Sequence, residues 1–241
     1  MKEHPILFNG EMVRAILEGR KTQTRRPIKP QPVPSSMGDD LWVVKTDGKP
    51  SGMACINATD WDVRYWCEKW LPYEIGDRLW VRETFVLEDT DEMPTDGRPY
   101  RKMEEMGEFG HLLVPHYRAT EPEPHIVPLD LSDSYDDRTR WRPSIHMPRW
   151  ASRIALEATG VRIQRVQEIG DSDAWDEGSW WRRYDDAVGP PIYIAHGECI
   201  DCFREQWDAL YANRKLGWDA NPWVWVIEFR ELRGDVRGAG E

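Results

Sequence analysis

The stretch Glu18-Gly19-Arg20-Lys21-Thr22-Gln23-Thr24-Arg25-Arg26-Pro27 restricts the fold more than any other part of the chain. Four cations and two threonines fall within Arg20 to Arg26. An amphipathic run, Gly10 to Gly19, precedes them. Its apolar residues Met12, Val13, Ile16 and Leu17 recur at offsets of roughly 3–4, the spacing of one helix face. Glycine takes the left-handed conformation at little cost, so Gly19 predicts the helix stop. Beyond it Thr22 and Thr24 stand at period two, which predicts a short extended segment over Lys21 to Arg26 ended by Pro27. Lys21, Gln23 and Arg25 then point one way, and Thr22, Thr24 and Arg26 the other.

The setting makes this basic segment unusual, because the net charge is −11. A protein that wraps duplex nucleic acid without specificity presents a whole basic face. Here a local basic pocket is expected, suited to a nucleoside or to single-stranded nucleic acid with an exposed base. The 14 tryptophans supply flat aromatic surface for the core, and for stacking on a ligand. With 241 residues the chain can bury a proper core. No run of about 18 apolar residues exists, so no membrane span or membrane partner is expected. Four cysteines make no disulfide scaffold, and Met1 to Pro5 is polar with no apolar signal region after it, so a reducing cytoplasm is expected.

Further along, Ile6 to Phe8 is a short strand candidate. Pro30, Pro32 and Pro34 mark a stiff linker over Ile28 to Met37. Leu41 to Lys45 predicts a strand ending in the turn Asp47-Gly48. Asp60 to Trp70 reads as loop or short helix. Ile75 to Phe85 predicts a strand after a Gly76-Asp77 turn, with Leu79, Val81 and Glu83 on one side and Trp80, Arg82 and Thr84 on the other. Val114 to Thr120 is strand-like and contains His116. Trp141 to Trp150 reads as an extended aromatic and basic segment. Ile154 to Val166 reads as two strands broken at Thr159-Gly160. Asp171 or Ser172 caps a short helix that Gly178 stops, with acidic residues suited to its N-terminus. Glu198 to Tyr211 predicts a helix with Cys199, Phe203, Trp207 and Leu210 on one stripe, and Trp223 to Phe229 the strongest strand. The expected architecture is α+β, a small β-barrel with flanking helices. It forms one domain over 1–232 with insertions near 86–113, 121–138 and 179–197, and a flexible tail over 233–241.

Three sets of residues carry chemistry. Lys21 sits beside Arg20, Arg25 and Arg26, and neighbouring cations or burial lower a lysine pKa, making it a base or nucleophile. Thr24 supplies a hydroxyl and Glu177 a general acid or base; the bland alternative is a solvated lysine and an ordinary helix-end glutamate. Ligand-binding candidates are Arg20, Arg25, Arg26, Arg82, Arg142, His146, Arg149 and Trp150, although a salt bridge explains Arg82 and Glu83 as well. Cys199 and Cys202 form a C-x-x-C, and Cys55 and Cys67 would have to complete a four-thiolate zinc site. Eleven residues separate Cys55 from Cys67, unlike a zinc knuckle, so buried free thiols and no cofactor are expected. Neither a G-x-x-x-x-G-K-[ST] loop, a G-x-G-x-x-G, nor an H-E-x-x-H is present, which argues against triphosphate hydrolysis and dinucleotide redox chemistry.

Ile16 to Arg25, Gly76-Asp77-Arg78-Leu79-Trp80-Val81, Asp173-Ala174-Trp175-Asp176-Glu177-Gly178 and the closing Trp-Val-Ile-Glu-Phe strand, in this order, resemble the ASCH domain family. The likeness extends to ASCH proteins of tailed bacteriophages and prophages through Ser144 to Trp150 and Gly217 to Trp223. The resemblance implies a PUA-like β-barrel related to RNA-binding domains and, if phage-encoded, a place in the bacterial host cell. Small bacterial members remove acetyl from N4-acetylcytidine, using a lysine and a threonine of a Gly-Arg-Lys-Thr-x-Thr segment and a helix glutamate. These fall on Lys21, Thr24 and Glu177. Other members bind or cut RNA, and a structural or host-interaction role in a phage is a third expectation. The added length and the segment 140–150 depart from the small enzymes and leave the substrate open.

Overall fold

The computed structural model describes residues 1–34, 41–46, 49–55, 72–102, 112–123, 141–178 and 198–232. In chain order the elements are β1 (Glu3–Leu7), α1 (Gly10–Leu17), β2 (Gln23–Pro27), β3 (Val33–Pro34), β4 (Leu41–Thr46), β5 (Lys49–Cys55), β6 (Arg78–Arg82), β7 (Phe85–Thr90), β8 (Arg101–Lys102), β9 (Leu112–Tyr117), β10 (Ala155–Arg165), α2 (Asp171–Asp176), α3 (Glu198–Tyr211) and β11 (Trp223–Glu231). The architecture is α+β, and no sheet closes into a barrel among the described residues. The readings at 47–48, 60–70, 124–138, 179–197 and 233–241 lie outside those residues. No described helix is long and apolar enough to cross a membrane.

The chain divides into two compact units, each assembled from separate stretches. The first comprises Met1–Gly19, Gly76–Glu157 and Arg230–Glu241. In it β1 runs parallel to β6, and β6 pairs antiparallel with the first residues of β10, Leu156 opposite Leu79. Asn9 caps α1 by accepting from the Met12 amide at 2.9 Å. Val13, Ala15 and Ile16 are buried on its inner face, each larger side chain contributing about 1.5–3 kcal/mol. Gly19 follows at φ +72°, the left-handed stop expected of it.

A second sheet has the order β7-β9-β8. Part of the stretch read as an insertion, 86–113, therefore belongs to a sheet. Its strand β7 was hidden because Phe85, Val86 and Leu87 are buried in succession, without alternation. Phe85, Leu87, Tyr117, Met147 and Ala151 form a core cluster against which Trp150 packs. Segment 141–150 is not extended throughout. It bends into single-turn helices at Ser144–His146 and Arg149–Ala151. Each follows a proline, Pro143 or Pro148, whose fixed φ suits a helix entry. Glu83, buried as the strand alternation requires, receives Nε and Nη2 of Arg153 at 2.9 and 3.0 Å.

The second unit comprises Arg20–Ile75 and Ala158–Phe229. Its strand order is β10-β11-β2, with β11 antiparallel to β2 and Ile227 opposite Thr24. A small antiparallel sheet, β3-β4-β5, is built around the predicted strand at residue 41. The α3 stripe buries Cys199, Cys202, Phe203, Trp207 and Tyr211. Leu210, expected on that stripe, is 40% exposed, and Tyr211 takes the inward position. Cys199, Phe203, Trp207 and Tyr211 join Val166, Ile169, Ala174, Val224 and Val226 in one core.

The predicted break at Thr159-Gly160 is absent, and β10 continues for 11 residues. Gly160 serves close approach here, not a turn. A Cβ at this position would stand 2.6 Å from Glu228 Oε2. The atom met is the far end of a flexible, exposed side chain, so Gly160→Ala is expected to turn the Glu228 carboxylate away from Arg162 and to change the unfolding free energy by less than about 1 kcal/mol in urea titrations. A loss above about 2 kcal/mol would refute this steric account.

Candidate functional site

Within the second unit the helix α2 ends against the basic segment. Its last residues leave carbonyls with no partner inside the helix, and such groups demand donors when buried. Glycine at 178, φ +70°, turns the chain away. The basic segment supplies the donors. The Thr22 amide donates to Asp176 O at 2.9 Å, Lys21 Nζ to Glu177 O at 2.9 Å, and Arg20 Nη1 to Gly178 O at 3.4 Å. Gln23 Nε2 donates to Asp173 O at 2.8 Å. Cations here also oppose the partial negative charge of the helix end.

The same side chains meet the helix carboxylates. Lys21 Nζ donates to Glu177 Oε2 at 2.8 Å, with the lysine side chain 1% exposed. Arg25 divides its guanidinium, Nη1 to Glu177 Oε1 at 3.1 Å and Nη2 to Asp173 Oδ2 at 2.6 Å. Asp173 also receives Arg162 Nη2 at 2.8 Å, and Arg162 pairs with Glu228. Gln23 and Arg25 reach the helix from one face of β2, as their alternation requires. Lys21 and Thr22 precede the strand, which begins at Gln23 instead of Lys21.

Electrostatics follow from burial. Desolvation lowers the Lys21 pKa, Glu177 opposes the shift, and the Arg26 and Arg25 charges add to it. Burial alone would raise Asp173, but pairing with Arg25 and Arg162 holds it below the usual carboxylate range. Asp176 goes the other way. Burial and the neighbouring Asp173, Glu228 and Glu177 charges push it up, against a Thr22 hydrogen bond. Among the described residues Arg25 Nε is buried with no hydrogen-bond partner, and the guanidinium stands 5.7 Å from the Phe203 ring centroid.

Lys21, Arg25 and Glu177 are thus brought together, and Arg20 joins them through Gly178. Thr24 is 1% exposed on β2. By strand alternation its side chain lies opposite Gln23 and Arg25. Among the described residues its hydroxyl makes no hydrogen bond to Lys21 or Glu177. Arg26 is half-buried. Asp171 and Ser172 do not cap α2; Gly170 occupies the N-cap position, because Asp171 already has helical geometry. Residues missed by the sequence reading are Asp173, Gln23, Arg162 and Glu228. The i,i+4 spacing of Asp173 and Glu177, facing Gln23 and Arg25 at period two, carries a signal for Asp173 and Gln23 only.

The other predicted binding residues belong to the first unit. Arg82 donates to Ile145 O and lies 5.3 Å from the Trp80 ring centroid. Arg149 is 6.0 Å from the same ring and pairs with Glu3, Nε to Oε2 at 3.0 Å. Arg142 bridges Phe85 through its backbone. His146 is exposed, and Trp150 is half-buried against the core. Cys199 and Cys202 are buried, and burial raises the pKa of the Cys199 thiol. Among the described residues no group of three His, Cys, Asp or Glu side chains is placed to hold a metal. Cys67 lies outside them.

No protein-family model, curated protein or solved structure matches this chain.

Removing one partner from a buried pair strands the other charge. Glu177→Ala is expected to cost about 3–5 kcal/mol in urea unfolding; a cost below about 1 kcal/mol would show the pair to be solvated. The Lys21 shift also carries a sign. Unfolded, the lysine keeps its proton to about pH 10.4; folded, it releases it at lower pH. Between these values the unfolded chain binds more protons, so the Lys21 contribution to stability rises with pH. The stability difference between the parent and Lys21→Met should therefore move toward the parent from neutrality to about pH 10. A difference flat with pH would contradict the shift.

Proposed function

We propose that the second unit recognises a modified cytosine nucleoside and hydrolyses an acyl group from its base, as an amidohydrolase of N4-acetylcytidine type. The observation that carries this reading is the direct contact of Lys21 Nζ with the Glu177 carboxylate, the lysine being the group whose basicity burial exposes. A lysine whose proton is loosened by burial, in contact with a carboxylate, is a proton-transfer pair. The resemblance to ASCH proteins supports the same assignment, and with it a PUA-like barrel for the fold.

In this mechanism Lys21, as the free base, removes a proton from the attacking hydroxyl. The nucleophile adds to the amide carbonyl. The Lys21 ammonium so formed gives its proton to the Glu177 carboxylate at 2.8 Å, and Glu177 passes it to the exocyclic amine as the C–N bond breaks, so acylated base and water become free base and carboxylic acid. Arg25 holds Glu177 and Asp173 in place. Trp175, on α2 and 42% exposed, offers a flat face on which a base can stack. The hydroxyl is that of a water, because Thr24 is buried on the face of β2 away from Arg25 and does not reach Lys21. Thr24→Ala is therefore expected to retain turnover.

Purified protein incubated with N4-acetylcytidine should release cytidine, read by chromatography. Lys21→Met should reduce the rate by at least about 100-fold, the scale of general base catalysis, with the fold intact by circular dichroism. No cytidine over hours at high enzyme concentration would make the pair structural and end this reading. A second reading, binding of single-stranded nucleic acid through the first unit, rests on Trp80 flanked by the Arg82 and Arg149 guanidiniums. It requires salt-dependent affinity for single-stranded RNA that Arg82→Ala weakens.

A further inference from the structure

The face of the first unit that holds Trp80 is built by strand alternation. Arg78, Trp80 and Arg82 stand on one side of β6, and Leu79 and Val81 are buried on the other. β1 runs beside β6 in parallel register, which sets Glu3 opposite Arg78, Pro5 opposite Trp80 and Leu7 opposite Arg82. Arg149 joins this face from the single-turn helix Arg149–Ala151. Met147 and Ala151, both fully buried, anchor its backbone on either side. The cations Arg78, Arg82 and Arg149 thus gather around one aromatic side chain, with the Glu3 carboxylate among them. Glu157, opposite Arg78 on β10, is taken by Arg230.

Glu3 grips Arg149 with both oxygens. Nε of the guanidinium donates to Glu3 Oε2 at 3.0 Å and Nη2 donates to Oε1 at 3.2 Å. Two parallel hydrogen bonds from this edge are how arginine holds a carboxylate, and equally how it holds two oxygens of a phosphate. The Arg149 hydrogen bonds keep the Glu3 carboxyl below the usual range against its desolvation, and the Arg149 and Arg78 charges add to this. The pair is open to solvent, with the glutamate side chain 43% exposed and the arginine 27%. Water already solvates both charges, so such a pair adds little to stability and yields to a competing anion. Arg82 already donates to a backbone carbonyl, that of Ile145. Arg149 has a carboxylate to exchange.

We propose that the Nε and Nη2 edge of Arg149 is a seat for one phosphate of single-stranded RNA, and that Glu3 fills this seat and withholds it. The proposal rests on the second reading, in which a base stacks on Trp80. The Arg149 guanidinium is 6.0 Å from that ring, close enough for one nucleotide to touch both. Glu3 stands where the phosphate oxygens would and carries the same sign of charge. A strand that stacks on Trp80 therefore binds with one phosphate contact fewer than the face can supply. The carboxylate on β1 is a built-in competitor that sets the affinity of the face.

Binding of the whole chain to a labelled uridylate hexamer, followed by fluorescence anisotropy across salt concentrations, tests this. Each phosphate contact on a single strand makes affinity fall roughly as the 0.7 power of salt concentration. Glu3→Gln should therefore bind about fivefold tighter than the parent at about 0.1 M salt, with the gain lost near about 1 M and the log–log slope steeper by about 0.7. In an Arg149→Ala background the same change should gain less than about twofold, which separates the seat from a general loss of negative charge. Circular dichroism checks the fold of each variant. Equal affinity and slope for the parent and Glu3→Gln, both binding, would overturn the proposal and leave the second reading standing. A gain undiminished by Arg149→Ala would do the same. No binding by either the parent or Glu3→Gln at low salt would end the second reading and this proposal together.

Discussion

The carbonyl end of α2 is the constraint on which the second unit depends. Asp173, Asp176, Glu177 and Gly178 each present a carbonyl oxygen to the segment Arg20 to Gln23. Because the segment is short, its four donors are consecutive in the chain, so helix and segment fix one another over 150 or more residues of sequence. This explains a dense basic stretch in an acidic protein without a polyanionic partner. Its first duty is to satisfy a helix terminus. Only after that do Lys21 and Arg25 have a defined relation to the Glu177 carboxylate.

Charge balance then limits what the site can do. Lys21, Arg25 and Arg162 face Asp173, Glu177 and Glu228, three cations against three carboxylates. Such a group is costly to bury and costly to break, so its geometry is held firmly. Firm placement is what acid and base groups need, since small displacements cost large factors in rate. The lysine carries the consequence of burial. Its proton is held less tightly than in water, while its nearest anion is present from the start.

Much of this fold was legible because its signals are local. The Val13 and Ile16 spacing with Gly19 marked α1, and the apolar run at Trp223 marked β11. The glycine at 178 placed the end of α2, and the resemblance then paired Lys21 with Glu177. What stayed hidden depends on contacts between distant residues. Gly160 reads as a break until Glu228 is seen against it. The successive burial of Phe85, Val86 and Leu87 carries no alternation to separate a strand from loop. Arg162 has no sequence signal linking it to Asp173, and nothing local joins Glu3 to Arg149.

Internal compensation also bears on the kind of ligand the second unit would take under the proposed activity. A phosphate backbone is drawn in by cations with charge to spare. Here the cations nearest Glu177 already have carboxylate partners, and the chain as a whole carries −11. A polyanion would pay to approach and would have to displace those partners. A neutral nucleoside pays neither cost, because its recognition rests on stacking and on hydrogen bonds to the base edges. Within the proposed activity, the charge distribution therefore favours a free nucleoside over the same base held in a polymer.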